Sequence, residues 1–159
     1  MYKMDSLNQF LLTARYTVAT AESCTSGALA SSFTDTPSSS VYFQGGVVVY
    51  NDRVKVDVLH VPQDIITRFT AQSGQCANRM SQNVSELFYC RFGVSTTGNM
   101  DIGPVYCSLY DQQTQSAHLT LIEPTGADRV ERKLVVVDKV KKWMLSVISE
   151  IDVHQARSC

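Results

Sequence analysis

Apolar residues recur three and four positions apart in two long stretches of the chain, and this spacing predicts amphipathic helices. Between residues 72 and 90 the apolar stripe consists of Cys76, Met80, Val84, Leu87 and Phe88. From residue 129 to about 151, apolar residues stand at positions 130, 134, 137, 140, 144, 148 and 151. Shorter helices are predicted over 5–15, 28–33 and 52–59, and Asp5 or Ser6 caps the first of them.

Short runs of β-branched and aromatic residues fall between these helices and predict strands. They cover residues 16–21, 44–50, 92–96, 105–110 and 117–122, and the last two form a hairpin joined by the polar loop DQQTQS. Val47, Val48 and Val49 form a continuous apolar run, which is typical of a strand covered on both faces. The pattern therefore predicts an α/β fold. We expect a three-layer α/β/α sandwich around a mixed, mostly parallel sheet of about five strands.

Composition and charge give no support to several classes of function. With 159 residues and a formal net charge of -1, the chain is expected to form one domain over 1–159, with its core over about 7–150. This charge gives no general attraction to nucleic acid or anionic lipid. No apolar stretch has the length of a signal peptide or a membrane span, so we expect a cytoplasmic protein without nucleic-acid or membrane partners. The five cysteines form no CxxC pair and the three histidines lack metal-ligand spacing, so we expect neither a metal site nor a cofactor.

The turn after the first predicted strand, ESCTSG at residues 22–27, is a first candidate for chemistry. It precedes a predicted helix, and the unpaired N–H groups at a helix start suit an anion such as phosphate. The GK[ST] ending of a P-loop is missing. The alternative is an ordinary helix start capped by Ser23 or Thr25.

The stretch SSSVYFQGGVVVYNDRVK, residues 38–55, offers a nucleophile and a base. Ser40 is a weak nucleophile until a base takes its proton, and a lysine such as Lys55 can do so when burial lowers its pKa. Tyr50 stands between them and is able to assist. The alternative is a polar turn, a strand-end tyrosine and a solvated lysine. A short-chain dehydrogenase is excluded, because its tyrosine and lysine are four residues apart on one helix face, and here they are five apart.

Two further segments follow predicted strands or open predicted helices. TTGNMD at residues 96–101 follows a buried strand, and α/β proteins bind ligands in loops at the carboxyl ends of parallel strands. We therefore expect the turns after residues 21, 50 and 97 to lie on one edge of the sheet. In DRVERK at 128–133, Arg132 is a candidate clamp for a phosphate or carboxylate, and the alternative is a solvated helix face.

Together, the segments TVATAESCTSG, PSSSVYFQGGVVVYNDRVK with VLHVP, TTG and GADRVER resemble the CinA C-terminal domain family over roughly residues 7–150. The resemblance implies an amidohydrolase that deamidates nicotinamide mononucleotide to nicotinate mononucleotide and ammonia in pyridine nucleotide salvage. It implies that Ser40 is the nucleophile, that Lys55 accepts its proton and that Tyr50 assists. Helix-end amides would hold the phosphate. The other implied substrate-binding residues are Ser23, Thr25, Gly27, Gly46, Thr97, Gly98 and Arg132.

The chain departs from the family pattern in three places. Ser26 stands in place of a glycine of CTGG, and residues 37–40 read Pro-Ser-Ser-Ser rather than Pro-Gly-Ala-Ser. The glycine-rich TGIAGP-type loop is shortened after Gly98, which removes substrate contacts and admits water.

Three functions stay open. The first is the amidohydrolase, and the second is a catalytically impaired paralogue that binds a nucleotide or has a regulatory, oligomeric role. The third is a DNA-repair or competence accessory role, which the near-neutral charge does not support. The apolar helix surfaces add the expectation of a homo-oligomer.

Overall fold

The computed structural model describes residues 5–159, which form six α-helices and five strands. The helices are α1 (Ser6–Ala14), α2 (Ala28–Thr34), α3 (Asp52–Asp57), α4 (Gln63–Phe69), α5 (Gly74–Leu87) and α6 (Arg129–Arg157). The strands are β1 (Val18–Glu22), β2 (Phe43–Val48), β3 (Phe92–Gly98), β4 (Val105–Asp111) and β5 (Ser116–Ile122). A single turn of 3₁₀ helix, Ser39–Val41, leads into β2.

The strands form one mixed sheet in the order β2-β1-β3-β4-β5. β1 is parallel to both β2 and β3, whereas the β3–β4 and β4–β5 pairs are antiparallel. The predicted α/β class, the mixed five-stranded sheet and the β4–β5 hairpin are confirmed, with parallel and antiparallel pairs equal in number. β1, β2 and β3 end at one edge of the sheet, where Glu22 lies opposite Val48 on one side and Thr96 on the other.

Helices cover both faces of the sheet and give the predicted three layers. On one face α1, α2 and α6 enclose a core that includes Phe33 and Met144. On the other face α5 contributes Met80 and Val84 to a second core. Burying each such side chain contributes about 1.5–3 kcal/mol. Because the sheet is held between two cores, the positions of its strand ends are fixed.

Three elements differ from the sequence prediction. The valine run predicts a strand covered on both faces, but β2 is an edge strand and Val48 is half exposed. The sequence indicates only a turn after Pro62, whereas α4 forms there because Ile65 and Ile66 pack against the core on the α5 face. Helix α6 continues to Arg157 rather than ending near residue 151.

Polar side chains fix the starts of the helices around the parallel strand ends. Asn51 Oδ1 accepts a hydrogen bond from the N–H of Arg53 at 3.0 Å and starts α3. Asp128 Oδ1 accepts from the N–H of Glu131 at 2.9 Å and starts α6. Such caps satisfy N–H groups that have no partner within the helix. The first turns of α3 and α6 are therefore held in place near the strand ends.

Within residues 5–159, none of the helices is both long enough and apolar enough to cross a membrane. The same residues contain no group of three or more histidine, cysteine, aspartate and glutamate side chains placed to hold a metal ion.

Candidate functional site

A polar pocket of about 220 Å³ opens where β1, β2 and β3 end. It joins the turns that follow the three parallel strands, as the sequence predicts, and α6 and the α4–α5 connection complete its wall. The residues that line it are Ser23, Cys24, Tyr50, Asp52, Lys55, Ala71, Gln72, Thr97, Gly98, Asn99, Met100, Asp101 and Arg129.

A larger depression of about 620 Å³ lies at the opposite edge of the sheet, beside Tyr89 and Arg91. Arg91 Nε is 3.3 Å from Oδ1 of the buried Asp111 and is therefore already paired. Of these two pockets, the smaller one brings a buried amine into contact with a hydroxyl, so it is the better candidate for catalysis although its volume is smaller.

The contact between Lys55 and Ser23 is the chemical centre of the pocket. Lys55 Nζ lies 3.2 Å from Ser23 Oγ and 3.0 Å from the carbonyl oxygen of Tyr50. Lys55 is only 1% exposed, and this burial lowers its pKa, although the Asp52 carboxylate 3.7 Å away acts in the opposite direction. A lysine with a lowered pKa is neutral in a larger fraction of molecules and can then accept the serine proton.

Ser40 and Lys55 are not brought together within one chain. Ser40 lies in the 3₁₀ turn before β2, whereas Lys55 lies on α3 after β2. The six residues of β2 separate them by about 20 Å at 3.3 Å per residue. Ser40 is also exposed and does not line the pocket, so Ser23 is the hydroxyl that contacts Lys55.

Tyr50 does line the pocket, next to Lys55. Its side chain is 58% exposed, and its contact with Lys55 Nζ is made by the backbone carbonyl. This carbonyl holds the amine in position, while the ring is free to contact a bound molecule.

Glu22 is the last residue of β1, and its side-chain carboxylate lies at the start of α2. Its fully buried carboxylate accepts hydrogen bonds from the N–H groups of Gly27, Leu29 and Ala30 at 3.2, 2.8 and 2.9 Å. It also accepts a hydrogen bond from the Thr25 hydroxyl at 2.7 Å. The Glu22 carboxylate therefore occupies the helix-end amides at which a phosphate was expected.

Three residues of the expected substrate site have structural contacts instead. The Thr25 hydroxyl is buried between Glu22 and Thr96, 2.6 Å from Thr96 Oγ1. Gly27 has a φ of 95° at the start of α2, a conformation that favours glycine. Gly46 lies midway along β2, where a Cβ would collide with the Thr20 hydroxyl. None of the three lines the pocket that is described above.

Thr97 and Gly98 line the pocket as expected. The Thr97 hydroxyl donates a hydrogen bond to the carbonyl of Ala71 at 2.7 Å and so ties the α4–α5 connection to the end of β3. Gly98 has a φ of 152°, and a Cβ there would overlap the backbone of Pro104 and Val105. Both residues therefore shape the wall on the β3 side.

Arg129, rather than Arg132, is the arginine that lines the pocket. Arg132 lies behind it, where Nε donates to the carbonyl of Gly126 at 3.1 Å and Nη1 donates to the carbonyl of Asp101 at 3.2 Å. Arg132 thus holds two loops together, and Arg129 is ion-paired with the Asp101 side chain at the pocket wall.

Cys24 is a second nucleophile type in the pocket. Burial raises the pKa of its thiol to about 11, so the reactive thiolate is scarce at neutral pH. Ser23, which already contacts an amine, is the better placed nucleophile.

Several pocket residues were missed in the sequence. Ala71 and Gln72 follow α4, which was not predicted, so the sequence did not indicate that they line the pocket. Asp52 stands three residues before Lys55, a helical spacing that signals contact. Arg129 lies in the same segment as Arg132, and only the helix start decides which one faces the pocket.

Comparisons with known proteins agree with this fold. A family model described as CinA C-terminal domain matches residues 3–105, which end at the first residue of β4. A CinA-like protein from Fervidobacterium nodosum is 37% identical over 94 residues, covering 59% of this chain and 23% of that protein. A CinA-like protein from Synechocystis is 40% identical over 114 residues, covering 66% of this chain and 27% of that protein. The match thus spans about a quarter of the length of these relatives.

Solved structures match a larger part of the chain than the family model does. A competence-damaged protein (CinA) superfamily protein from Klebsiella pneumoniae superposes with a TM-score of 0.86 at 20% identity, covering 91% of this chain and 94% of that one. The competence/damage inducible protein CihA from Agrobacterium tumefaciens gives 0.81 at 24% identity, with coverages of 92% and 98%. At such identities the likeness establishes the fold alone, and coverages above 90% of this chain extend it beyond residue 105.

Proposed function

Because the chain belongs to the CinA C-terminal domain family, we propose that it is a serine amidohydrolase in which Ser23 is the nucleophile and Lys55 the base. The 3.2 Å contact between the buried Lys55 amine and Ser23 Oγ carries the proposal. The substrate is a small carboxamide, and nicotinamide mononucleotide, which the resemblance implies, is the first candidate.

The chemistry needs only groups of the pocket and water. Neutral Lys55 takes the hydroxyl proton of Ser23 while Oγ bonds to the carboxamide carbon. Lys55 then gives this proton to the amide nitrogen, the C–N bond breaks and ammonia leaves. Water attacks the resulting ester with Lys55 again as base, and the carboxylate leaves while Ser23 regains its proton. The acid product passes its proton to ammonia, so one amide and one water become one carboxylate and one ammonium ion.

The oxygen of the tetrahedral intermediate needs hydrogen-bond donors. Among residues 5–159, no oxygen accepts a hydrogen bond from the backbone N–H of Cys24 or Thr25. The N–H of the residue after a nucleophilic serine is a recurring oxyanion donor in hydrolases. The Cys24 N–H is therefore the donor that we assign to this oxygen.

The size of the pocket bears on the substrate. Its volume of about 220 Å³ is below the roughly 300 Å³ at which small-molecule sites typically begin. It suits a carboxamide ring, which would lie against the exposed Tyr50 ring and near the Gln72 side chain. The ribose phosphate of a nucleotide would extend over the rim, on the side of Arg129.

The shortened loop favours a second candidate function. Residues 99–104 form a tight turn in which Asn99 accepts hydrogen bonds from the N–H groups of Asp101, Ile102 and Gly103. A turn of this size covers little of a nucleotide. The alternative is therefore a paralogue that binds the nucleotide without hydrolysing it.

The test is ammonia release from nicotinamide mononucleotide by the purified chain, with nicotinate mononucleotide identified by chromatography. Removing a general base typically costs about 10²–10⁴-fold in rate, so Lys55→Met is expected to lose at least 100-fold. Lys142→Met is the matched control, because Lys142 is an exposed lysine on α6 that pairs with Asp138. Unchanged turnover in Lys55→Met would refute the mechanism. Nucleotide binding without turnover by the unmodified chain would favour the paralogue.

A further inference from the structure

Asp101 is ion-paired with Arg129, the arginine that a substrate anion would need for binding. Its Oδ2 forms an ion pair with Arg129 Nη1, and its Oδ1 lies 3.7 Å from Arg132 Nη1. Starting from the proposed function, we propose that Asp101 competes with the substrate phosphate for Arg129 and so sets the charge preference of the pocket. The pocket then binds an uncharged carboxamide nucleoside nearly as well as its phosphorylated form.

The backbone holds the Asp101 carboxylate in this position. Asn99 Oδ1 accepts from the N–H of Asp101 at 2.8 Å, and the N–H of Gly103 donates to the Asn99 carbonyl at 2.8 Å. Arg132 Nη1 donates to the Asp101 carbonyl at 3.2 Å. Because the turn is fixed on both sides, an incoming anion meets the carboxylate rather than a bare guanidinium group.

No other cation of the pocket is left for the phosphate. Among the described lining residues the cations are Lys55 and Arg129, and the anions are Asp52 and Asp101. Lys55 is buried against Ser23, and the amides at the start of α2 are taken by the carboxylate of Glu22. With Lys55 charged, the charges of the lining cancel. With Lys55 neutral, as the mechanism requires, the lining has a net charge of about -1, so in either state a phosphorylated ligand has no electrostatic advantage.

Asp101→Asn tests this assignment, because it keeps the shape of the turn and removes one negative charge. Dissociation constants for nicotinamide mononucleotide and nicotinamide riboside would be measured by calorimetry, with Ser23→Ala as background to prevent turnover. An ion pair that is half exposed typically changes binding up to about fivefold. With Asp101 present, we expect the dissociation constants of the two compounds to agree within about threefold. In Asp101→Asn we expect the preference for the mononucleotide, which is the ratio of these constants, to rise about fivefold.

Two controls separate the local contact from a general charge effect. Asp138→Asn makes the same substitution on α6, at an exposed aspartate that pairs with Lys142, and is expected to leave the preference unchanged. In an Arg129→Gln background, Asp101→Asn is expected to have no effect, since the competition acts through Arg129.

The outcomes distinguish this proposal from the proposed function. An unchanged preference in Asp101→Asn, or an equal rise in Asp138→Asn, would overturn the role of Asp101 even if the chain releases ammonia. The expected rise without any ammonia release would support Asp101 and refute the amidohydrolase. If neither compound binds, the role of Asp101 and the amidohydrolase proposal are both overturned.

Discussion

Glu22 gives the most direct stability test of how the pocket is built. Its carboxylate is fully buried and accepts hydrogen bonds from the N–H groups of Gly27, Leu29 and Ala30 and from the Thr25 hydroxyl. We expect Glu22→Gln to destabilise the protein, although glutamine has nearly the same shape. The reason is that an NH₂ group must replace one oxygen, where it faces donors only.

The magnitude follows from the contacts of the two oxygens. Oε1 accepts three hydrogen bonds and Oε2 accepts one, from Ala30 N–H, so the amide nitrogen of glutamine is best placed at the Oε2 position. The orphaned Ala30 N–H then costs about 1–3 kcal/mol. Loss of the negative charge at the start of α2 adds about 0.3–1 kcal/mol. We therefore expect the free energy of unfolding to fall by about 1–4 kcal/mol, which is the range of the sum.

Urea unfolding followed by far-UV circular dichroism at pH 7 would measure this loss. With an m-value of about 2 kcal/mol per molar, the midpoint is expected to fall by about 0.5–2 M. Asp128→Asn is the matched control, because it makes the same change at the exposed start of α6, where asparagine caps as well as aspartate, and it is expected to shift the midpoint little. A Glu22→Gln midpoint equal to that of the unmodified chain would refute the reasoning.

Three further predictions concern the pocket. Asp52→Asn removes a carboxylate that raises the pKa of Lys55, so this pKa is expected to fall. The acid limb of the pH–rate profile is then expected to move to lower pH. A limb that moves to higher pH would contradict this. Thr97→Val removes the donor to the Ala71 carbonyl, so it is expected to lower the free energy of unfolding by urea by about 1–3 kcal/mol and to raise KM. Thr97→Ser keeps the hydroxyl and is expected to keep both values. Equal effects of the two substitutions would refute the role of the hydroxyl. Cys24→Ala is expected to keep kcat within about threefold, because the buried thiol is not the nucleophile, and loss of turnover would implicate it.

The position of the pocket could be predicted from the sequence for a physical reason. Helices between parallel strands return the chain to the same end of the sheet, so the turns that follow such strands meet at one edge. Lys55, Tyr50 and Thr97 were therefore expected near one another, and all of them line the pocket.

Which serine meets Lys55 was harder to predict, although the sequence contains a signal. Ser40 precedes the predicted strand and Lys55 follows it, and a strand of this length keeps its two ends about 20 Å apart. Ser23 follows the neighbouring parallel strand and therefore lies at the same edge as Lys55. Strand direction, rather than distance along the chain, identifies the pair.

Other features depend on tertiary contacts that no local pattern encodes. The sequence indicates only that Glu22 is a polar residue at a strand end. Its carboxylate caps α2 because the helix packs beside it in the fold. The pairing of Asp101 with Arg129 joins residues 28 positions apart. The valine run did not show that β2 is an edge strand, because residues outside the run determine strand order.

The most direct test of the account compares Ser23→Ala with Ser40→Ala in ammonia release from nicotinamide mononucleotide, at equal and confirmed folding. If Ser23 is the nucleophile, Ser23→Ala is expected to lose at least about 100-fold and Ser40→Ala to stay within about twofold. Full turnover in Ser23→Ala with loss in Ser40→Ala would contradict the account and would require Ser40 of a second copy of the chain to reach Lys55.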